Sequence, residues 1–167
     1  GGAAGSYTEQ IRFRLRGHLD GKLLAEAWQD VVQRHQGLRA RFVATPRGQV
    51  VQAILRRADT CIETVDLSAR PPGKRSIQVV RLLEPWRNNA FDLARGPLFC
   101  LQAIRIGANE TLLSWSCHHI LIDGWCIGLL WRDLFTAYRA RRDARPAWTG
   151  PAPTLETYFR RLGRTDT

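Results

Sequence analysis

Two apolar segments, Leu98 to Ile106 and Thr111 to His118, are separated only by a turn at Gly107 to Asn109, and apolar residues occur in both of their alternating sets of positions. Successive side chains of a strand point to opposite sides, so two such strands must be covered on both and belong at the centre of a sheet. The rest of the chain supplies the cover. Tyr7, Ile11, Phe13 and Leu15 alternate with Thr8, Gln10, Arg12 and Arg14, the period of a half-buried strand. Asp20 is placed to cap a helix whose positions Leu24, Ala27, Trp28, Val31, Val32 and His35 follow helical spacing, with an end near Gln36. Leu38 to Thr45 and Gln49 to Leu55, joined by Pro46-Arg47-Gly48, predict a hairpin, and Cys61 to Val65 a further short strand, with antiparallel local pairing. Beyond Pro71-Pro72-Gly73, Ser76 to about Asn89 predicts a helix that Pro85 kinks or bounds. After Gly124, the residues Ile127, Leu130, Trp131, Leu134, Phe135 and Tyr138 line one face of a helix with a basic end. Pro146 to Pro153 reads as a connector, and Leu155, Tyr158, Phe159 and Leu162 as a last short helix.

With 167 residues, 44% of them hydrophobic, the chain is long enough for one domain with a substantial core and offers no point of division. No apolar run approaches the length that spans a bilayer, and residues 1–6, GGAAGS, lack the charged start and apolar stretch of a signal peptide. Those six residues read as a linker or remnant, residues 7–167 as the folded unit, and the expected compartment is the cytoplasm, with no membrane partner. A net charge of +10, almost wholly arginine, first points to nucleic acid. Its arginines are scattered, apart from Arg12, Arg14, Arg16 and Arg139, Arg141, Arg142, and lack interleaved aromatic residues, so no nucleic-acid partner is expected. Such a scattered basic surface reads as solvation and compositional bias, with attraction of an acidic protein partner as the weaker reading. Cys61, Cys100, Cys117 and Cys126 show neither CxxC spacing nor a disulfide framework and read as reduced thiols. Cys117, His118, His119 and Cys126 match no common zinc spacing, and strand alternation separates the two histidines, so no metal is expected.

The chemistry concentrates in HHILIDG, His118 to Gly124, at the end of the second apolar strand. Adjacent histidines on a strand face opposite ways, so one is expected toward the core and the other toward a cavity. An imidazole titrates near neutrality, which makes the cavity-facing one a candidate general base.

This motif, placed between a strand and an amphipathic helix, resembles the HHxxxDG signature of the chloramphenicol-acetyltransferase-like superfamily, and in particular of the condensation domains of nonribosomal peptide synthetases. RHQGLRARF, Arg34 to Phe42, is similar to their second motif; Arg12 to Trp28 resembles the strand and helix before it; FDLARGPLF, Phe91 to Phe99, resembles the segment before their central strands. The resemblance covers most of Tyr7 to Tyr138 in the expected order.

It implies an α/β fold, an α+β two-layer sandwich of the acetyltransferase-like kind, with a largely antiparallel, mixed sheet and packed helices. It also implies an amide-bond-forming acyltransferase: a carrier-bound aminoacyl amine attacks the thioester of a carrier-bound donor. His119 corresponds to the catalytic second histidine, and His118 to the structural first. Asp123 matches the motif aspartate, whose partner would be Arg34, while Gly124 lets backbone approach the reacting centre. No cofactor would be bound directly; the substrates would ride on the phosphopantetheine of donor and acceptor peptidyl carrier proteins. The family's opening motif and its whole second half are missing, so the expectation is an N-terminal lobe that needs a C-terminal partner lobe and is inactive alone. Two other readings stay open: an oligomeric HHxxxDG acyltransferase that completes its site between protomers, and a carrier-docking module without chemistry. ILIDGWC is closer to the form in domains that accept a donor ending in a D residue.

Overall fold

The two apolar segments form the centre of a four-stranded sheet. A computed structural model describes residues 7–88, 91–122, 124–152, 154, 156 and 160, without the side chains of Asn88 and Trp125. In chain order it has β1 (Thr8–Arg16), α1 (Gly21–Arg34), β2 (Ala40–Ala44), β3 (Val50–Ile54), β4 (Ile62–Asp66), α2 (Pro72–Asn88), β5 (Phe99–Gly107), β6 (Glu110–His118) and α3 (Gly124–Arg142). The main sheet has the order β1-β6-β5-β4, and β2 and β3 pair separately as a hairpin. β6 is antiparallel to both neighbours, with Phe99 opposite Cys117 on one side and Thr8 opposite His118 on the other.

Alternation along β5 and β6 divides the core. Phe99, Leu101, Leu113, Trp115 and Cys117 face α1 and α3, where they join Leu24, Trp28, Val31, Leu130 and Leu134 in the larger apolar cluster. Each such side chain contributes about 1.5–3 kcal/mol when removed from water. Trp28 meets Phe99 edge-on, with ring centroids 5.4 Å apart, and Trp115 at 6.4 Å. The intervening positions Ile104, Ile106 and Leu112 face the other way, where Leu83, Val79 and Leu82 of α2 and Leu67 cover them in a smaller cluster. The α/β class with a mixed sheet and packed helices is the one expected from the family resemblance.

Local chemistry sets the element ends. Asp20 caps α1 by accepting from the backbone N–H groups of Lys22 and Leu23 at 2.8 and 3.0 Å. The helix stops at Arg34, earlier than the spacing predicts, because His35 is extended and a 3-10 turn, Gln36–Arg39, follows. Arg39, 8% exposed, donates to the carbonyls of Val32 and Arg56, each at 3.2 Å, and to that of Leu55, so it ties the hairpin base to α1. α2 begins at Pro72, ahead of the expected Ser76. A proline in the first turn costs no hydrogen bond, and Pro85 is tolerated near the far end, where it removes only one. β4 departs from the antiparallel expectation. It leaves the hairpin and pairs parallel to β5, with α2 as the crossover. The proposed final helix and residues 1–6 fall largely outside the described residues.

The indole N–H groups of Trp28, Trp115 and Trp131 are buried without a hydrogen-bond partner among the described residues, so packing holds this aromatic cluster. Trp28→Ala is expected to lower the unfolding free energy by about 3–5 kcal/mol. Trp28→Phe, which sacrifices no hydrogen bond, is expected to cost less than about 2 kcal/mol. Denaturant midpoints of the two variants check the order.

Candidate active site

The last residues of β6 are held from both sides. The His118 N–H donates to Leu98 O and the His119 N–H to Tyr7 O, each at 2.8 Å, so consecutive residues are tied to opposite neighbours. The chain then tightens into a 3-10 turn, His119–Leu121. His118 is half-buried, its ring 6.0 Å from and nearly parallel to that of Tyr7, whereas His119 is exposed. Alternation therefore separates the histidines as the sequence requires, although the outward one meets solvent in this chain where a cavity was expected.

Hydrogen bonds give the two imidazoles opposite tautomers. The Ile120 N–H donates to His118 Nδ1 at 3.1 Å, so that nitrogen carries a lone pair and the neutral ring keeps its proton on Nε2. His119 Nδ1 is 3.1 Å from Ile122 O; a carbonyl only accepts, so Nδ1 is the protonated nitrogen and Nε2 is left as the base. Burial, and then the charge of His119, pull the His118 pKa below the usual histidine range. Burial, and then Glu9, push the Cys117 thiol up to about 12, which keeps it neutral behind the histidines.

Arg34, the last residue of α1, reaches α3. Its Nε lies 3.9 Å from Asp133 Oδ2 on α3, its guanidinium stacks 4.7 Å from the Trp148 ring centre, and Nη1 donates to Gly150 O at 3.4 Å. His35 Nε2 lies 2.9 Å from the same Asp133 oxygen. Asp133 is only 6% exposed. This carboxylate therefore gathers Arg34 and His35, and just beyond them a Cβ on Gly37 would stand 3.8 Å from the Leu121 carbonyl. The second motif thus abuts the turn that follows His119. Asp123, the partner expected for Arg34, lies outside the described residues. Gly124 opens α3, and among the described residues a Cβ there would meet nothing within 4 Å. Asp133 carried a signal that the motifs did not: an acid three residues after Leu130 and one before Leu134, within the buried arc of α3. Trp131 is a packing residue, edge-on to Phe13 at 4.5 Å.

Together the site offers an exposed base with a fixed tautomer and a braced turn beneath it, which suits proton transfer at a substrate held against this face. The sequence model for the condensation domain matches residues 2–164. A linear gramicidin synthase of Brevibacillus parabrevis is 33% identical over 161 residues, which cover 96% of this chain and 3% of that protein. A surfactin synthase of Bacillus subtilis (strain 168) is 28% identical, covering 96% and 12%. Among solved structures, the first condensation domain of the calcium-dependent antibiotic synthetase, in complex with a substrate analogue, superposes with a TM-score of 0.78 at 25% identity, over 89% of this chain and 35% of that one. The starter condensation domain of rhizomide synthetase, 17% identical, shares the fold at a TM-score of 0.83 over 98% and 39%. This chain thus spans little more than a third of the solved domains.

Asp133→Ala leaves Arg34 and His35 without their shared carboxylate. It is expected to destabilise the fold by about 2–3 kcal/mol, somewhat below the usual cost of opening a buried pair because His35 is one-third exposed. Chemical denaturation checks it. For His118, a lowered native pKa means that the unfolded chain takes up the proton first as the pH drops. The stability present above the unfolded value of about 6.5 is then lost as the pH falls through the lower native midpoint. Protonation also destroys the acceptor for the Ile120 N–H. An NMR titration is expected to place the His118 midpoint below that of a free histidine.

Proposed function

Because the chain belongs to the condensation-domain family, we propose that it is the histidine-bearing N-terminal lobe of a nonribosomal peptide synthetase condensation domain. In this reading the acceptor is an aminoacyl thioester and the donor a peptidyl or aminoacyl thioester, both on the phosphopantetheine of carrier proteins. The observation that carries it is the hydrogen bond from His119 Nδ1 to Ile122 O, which leaves Nε2 as an exposed base.

The reaction follows from that nitrogen. The acceptor attacks as the free amine, since an ammonium has no lone pair, and its nitrogen must lose one proton as it gains the bond to the donor carbonyl. His119 Nε2 takes that proton, and the resulting imidazolium lies against the negative charge developing on the tetrahedral carbon's oxygen. Collapse breaks the C–S bond, and the proton returns to the departing thiolate. Amide and free carrier thiol are the products, with no net change at His119. His118 does not share this work: its Nδ1 lone pair is committed to the Ile120 N–H. Asp133, Arg34 and His35 brace the second motif against the Leu121 carbonyl.

His119 is exposed here because, in this proposal, the opposite wall belongs to the second lobe, which also carries part of the donor and acceptor pockets. The 167-residue chain alone is therefore expected to give little or no product from two loaded carriers. Joined to its C-terminal half, His119→Ala is expected to lower product formation by about 10²–10⁴-fold with folding unchanged, measured by mass spectrometry of the carrier-bound product. Undiminished turnover in that variant excludes His119 as the base. Substantial turnover by the lone chain, with light scattering that shows a trimer, favours a site shared between protomers.

A further inference from the structure

Cys61 and Cys100 lie side by side on the sheet face that α2 covers. Cys61 immediately precedes β4, and its carbonyl accepts the Leu101 N–H at 2.9 Å, which sets it opposite Cys100, one residue ahead of the pair Ile62 and Leu101. Adjacent strands stand about 4.8 Å apart, within the Cα separations that a disulfide spans. The two sulfurs are 2.7 Å apart. Both thiols are reduced, Cys100 is buried, and Cys61 is partly open to solvent.

Glu63 completes a group of potential metal ligands, the one such group gathered among the described residues. Two observations argue against an ion there. Thiolates on one tetrahedral zinc stand about 3.8 Å apart, given Zn–S bonds of about 2.3 Å, so these sulfurs would have to separate. Both Glu63 oxygens are also engaged, Oε1 by Trp86 Nε1 at 3.2 Å and Oε2 by Gln102 Nε2 at 2.7 Å. A disulfide asks the opposite of the sulfurs: a short approach between residues already in register.

We propose that Cys61 and Cys100 are a modification site, a cross-strand dithiol that hydrogen peroxide converts to a disulfide joining β4 to β5. Cys61 is the attacking group, because it is the more accessible and its neighbour's S–H bond holds its pKa below the usual thiol value, while Cys100 is pushed well up. The Cys61 thiolate bonds to one peroxide oxygen as the O–O bond breaks, giving a sulfenic acid; the departing hydroxide gains a proton and leaves as water. The Cys100 sulfur then attacks the sulfenic sulfur. The S–S bond forms, the S–O bond breaks, and the hydroxide released takes the Cys100 proton as a second water. Two thiols lose two electrons, and one peroxide becomes two waters.

The test treats the full chain with hydrogen peroxide, blocks remaining thiols under denaturing conditions, and maps peptides by mass. The expected result is one cross-link, Cys61 to Cys100, reversed by a dithiol reductant and accompanied by a rise in melting temperature that the reductant abolishes. Cys61→Ser and Cys100→Ser are each expected to keep the remaining member of the pair as a monothiol, without that cross-link. A Cys61 that stops at sulfenic or sulfinic acid beside an unchanged Cys100 overturns the proposal, as does a bond made instead to Cys117 or Cys126. So does uptake of one zinc ion by the reduced chain, lost in Cys61→Ser, with no cross-link formed. None of these readouts depends on acyl transfer, so the dithiol and the role of His119 stand or fall separately.

Discussion

β6 is hydrogen-bonded along both edges up to and just beyond its final residue, and the rest of the site depends on that double pairing. His118 is fixed to the β5 side through Leu98, and His119 to the β1 side through Tyr7. With the backbone pinned at two successive residues, strand alternation sends the imidazoles apart, and neither can exchange places with the other without breaking the sheet. Only then does the chain turn, and the carbonyl and N–H groups of that turn give the two rings opposite tautomers. The exposure and tautomer of His119 thus follow from sheet register and from the turn after it.

That register is set by burial. A slip of one residue would carry Leu113, Trp115 and Cys117 away from α1 and α3 and put Ser114 and Ser116 against Trp28 and Leu134. The larger cluster therefore specifies where β6 ends relative to β1 and β5. α3 joins the two scales: Leu130 and Leu134 pack under the sheet, while Asp133 between them takes Arg34 and His35. A buried carboxylate with two cationic or hydrogen-bonding partners offers little net stability over an apolar replacement, but it fixes a geometry that apolar contacts leave loose. Here the geometry fixed is the approach of the second motif to the histidine turn.

Much of this was written in local patterns. The period-two run from Tyr7 to Leu15, the apolar stripes of α1 and α3 and the Asp20 cap are each decided by nearest neighbours, and they appear in the structure within a residue or two. The partner of β4 was not legible, because its sequence determines that it is a strand but not which edge it joins. Pairing with β5 depends on α2 bridging the two, and α2 in turn starts early because Pro72 suits a first turn. His119 was legible from its motif, while its tautomer depends on where the Ile122 carbonyl lies after folding. Asp133 was missed for the opposite reason: its position in an apolar arc is visible in the sequence, but its importance emerges only when Arg34 and His35 arrive from another helix.

The thiol pair lies at the same end of the sheet as the histidines. Cys100 stands opposite Ser116, two residues before His118, and Leu98, whose carbonyl holds the His118 N–H, is two residues before Cys100. β4 is the sheet's outer strand on that side, and an outer strand is the one whose hydrogen bonds open most readily. A disulfide from Cys61 to Cys100 restricts that opening and closes the loop that contains α2, so it stiffens the β5 end on which His118 is pinned. The two faces of the sheet are thereby joined through one strand: the packing that places His119 lies on the α1 and α3 side, and the bond that would tighten its support lies beneath α2.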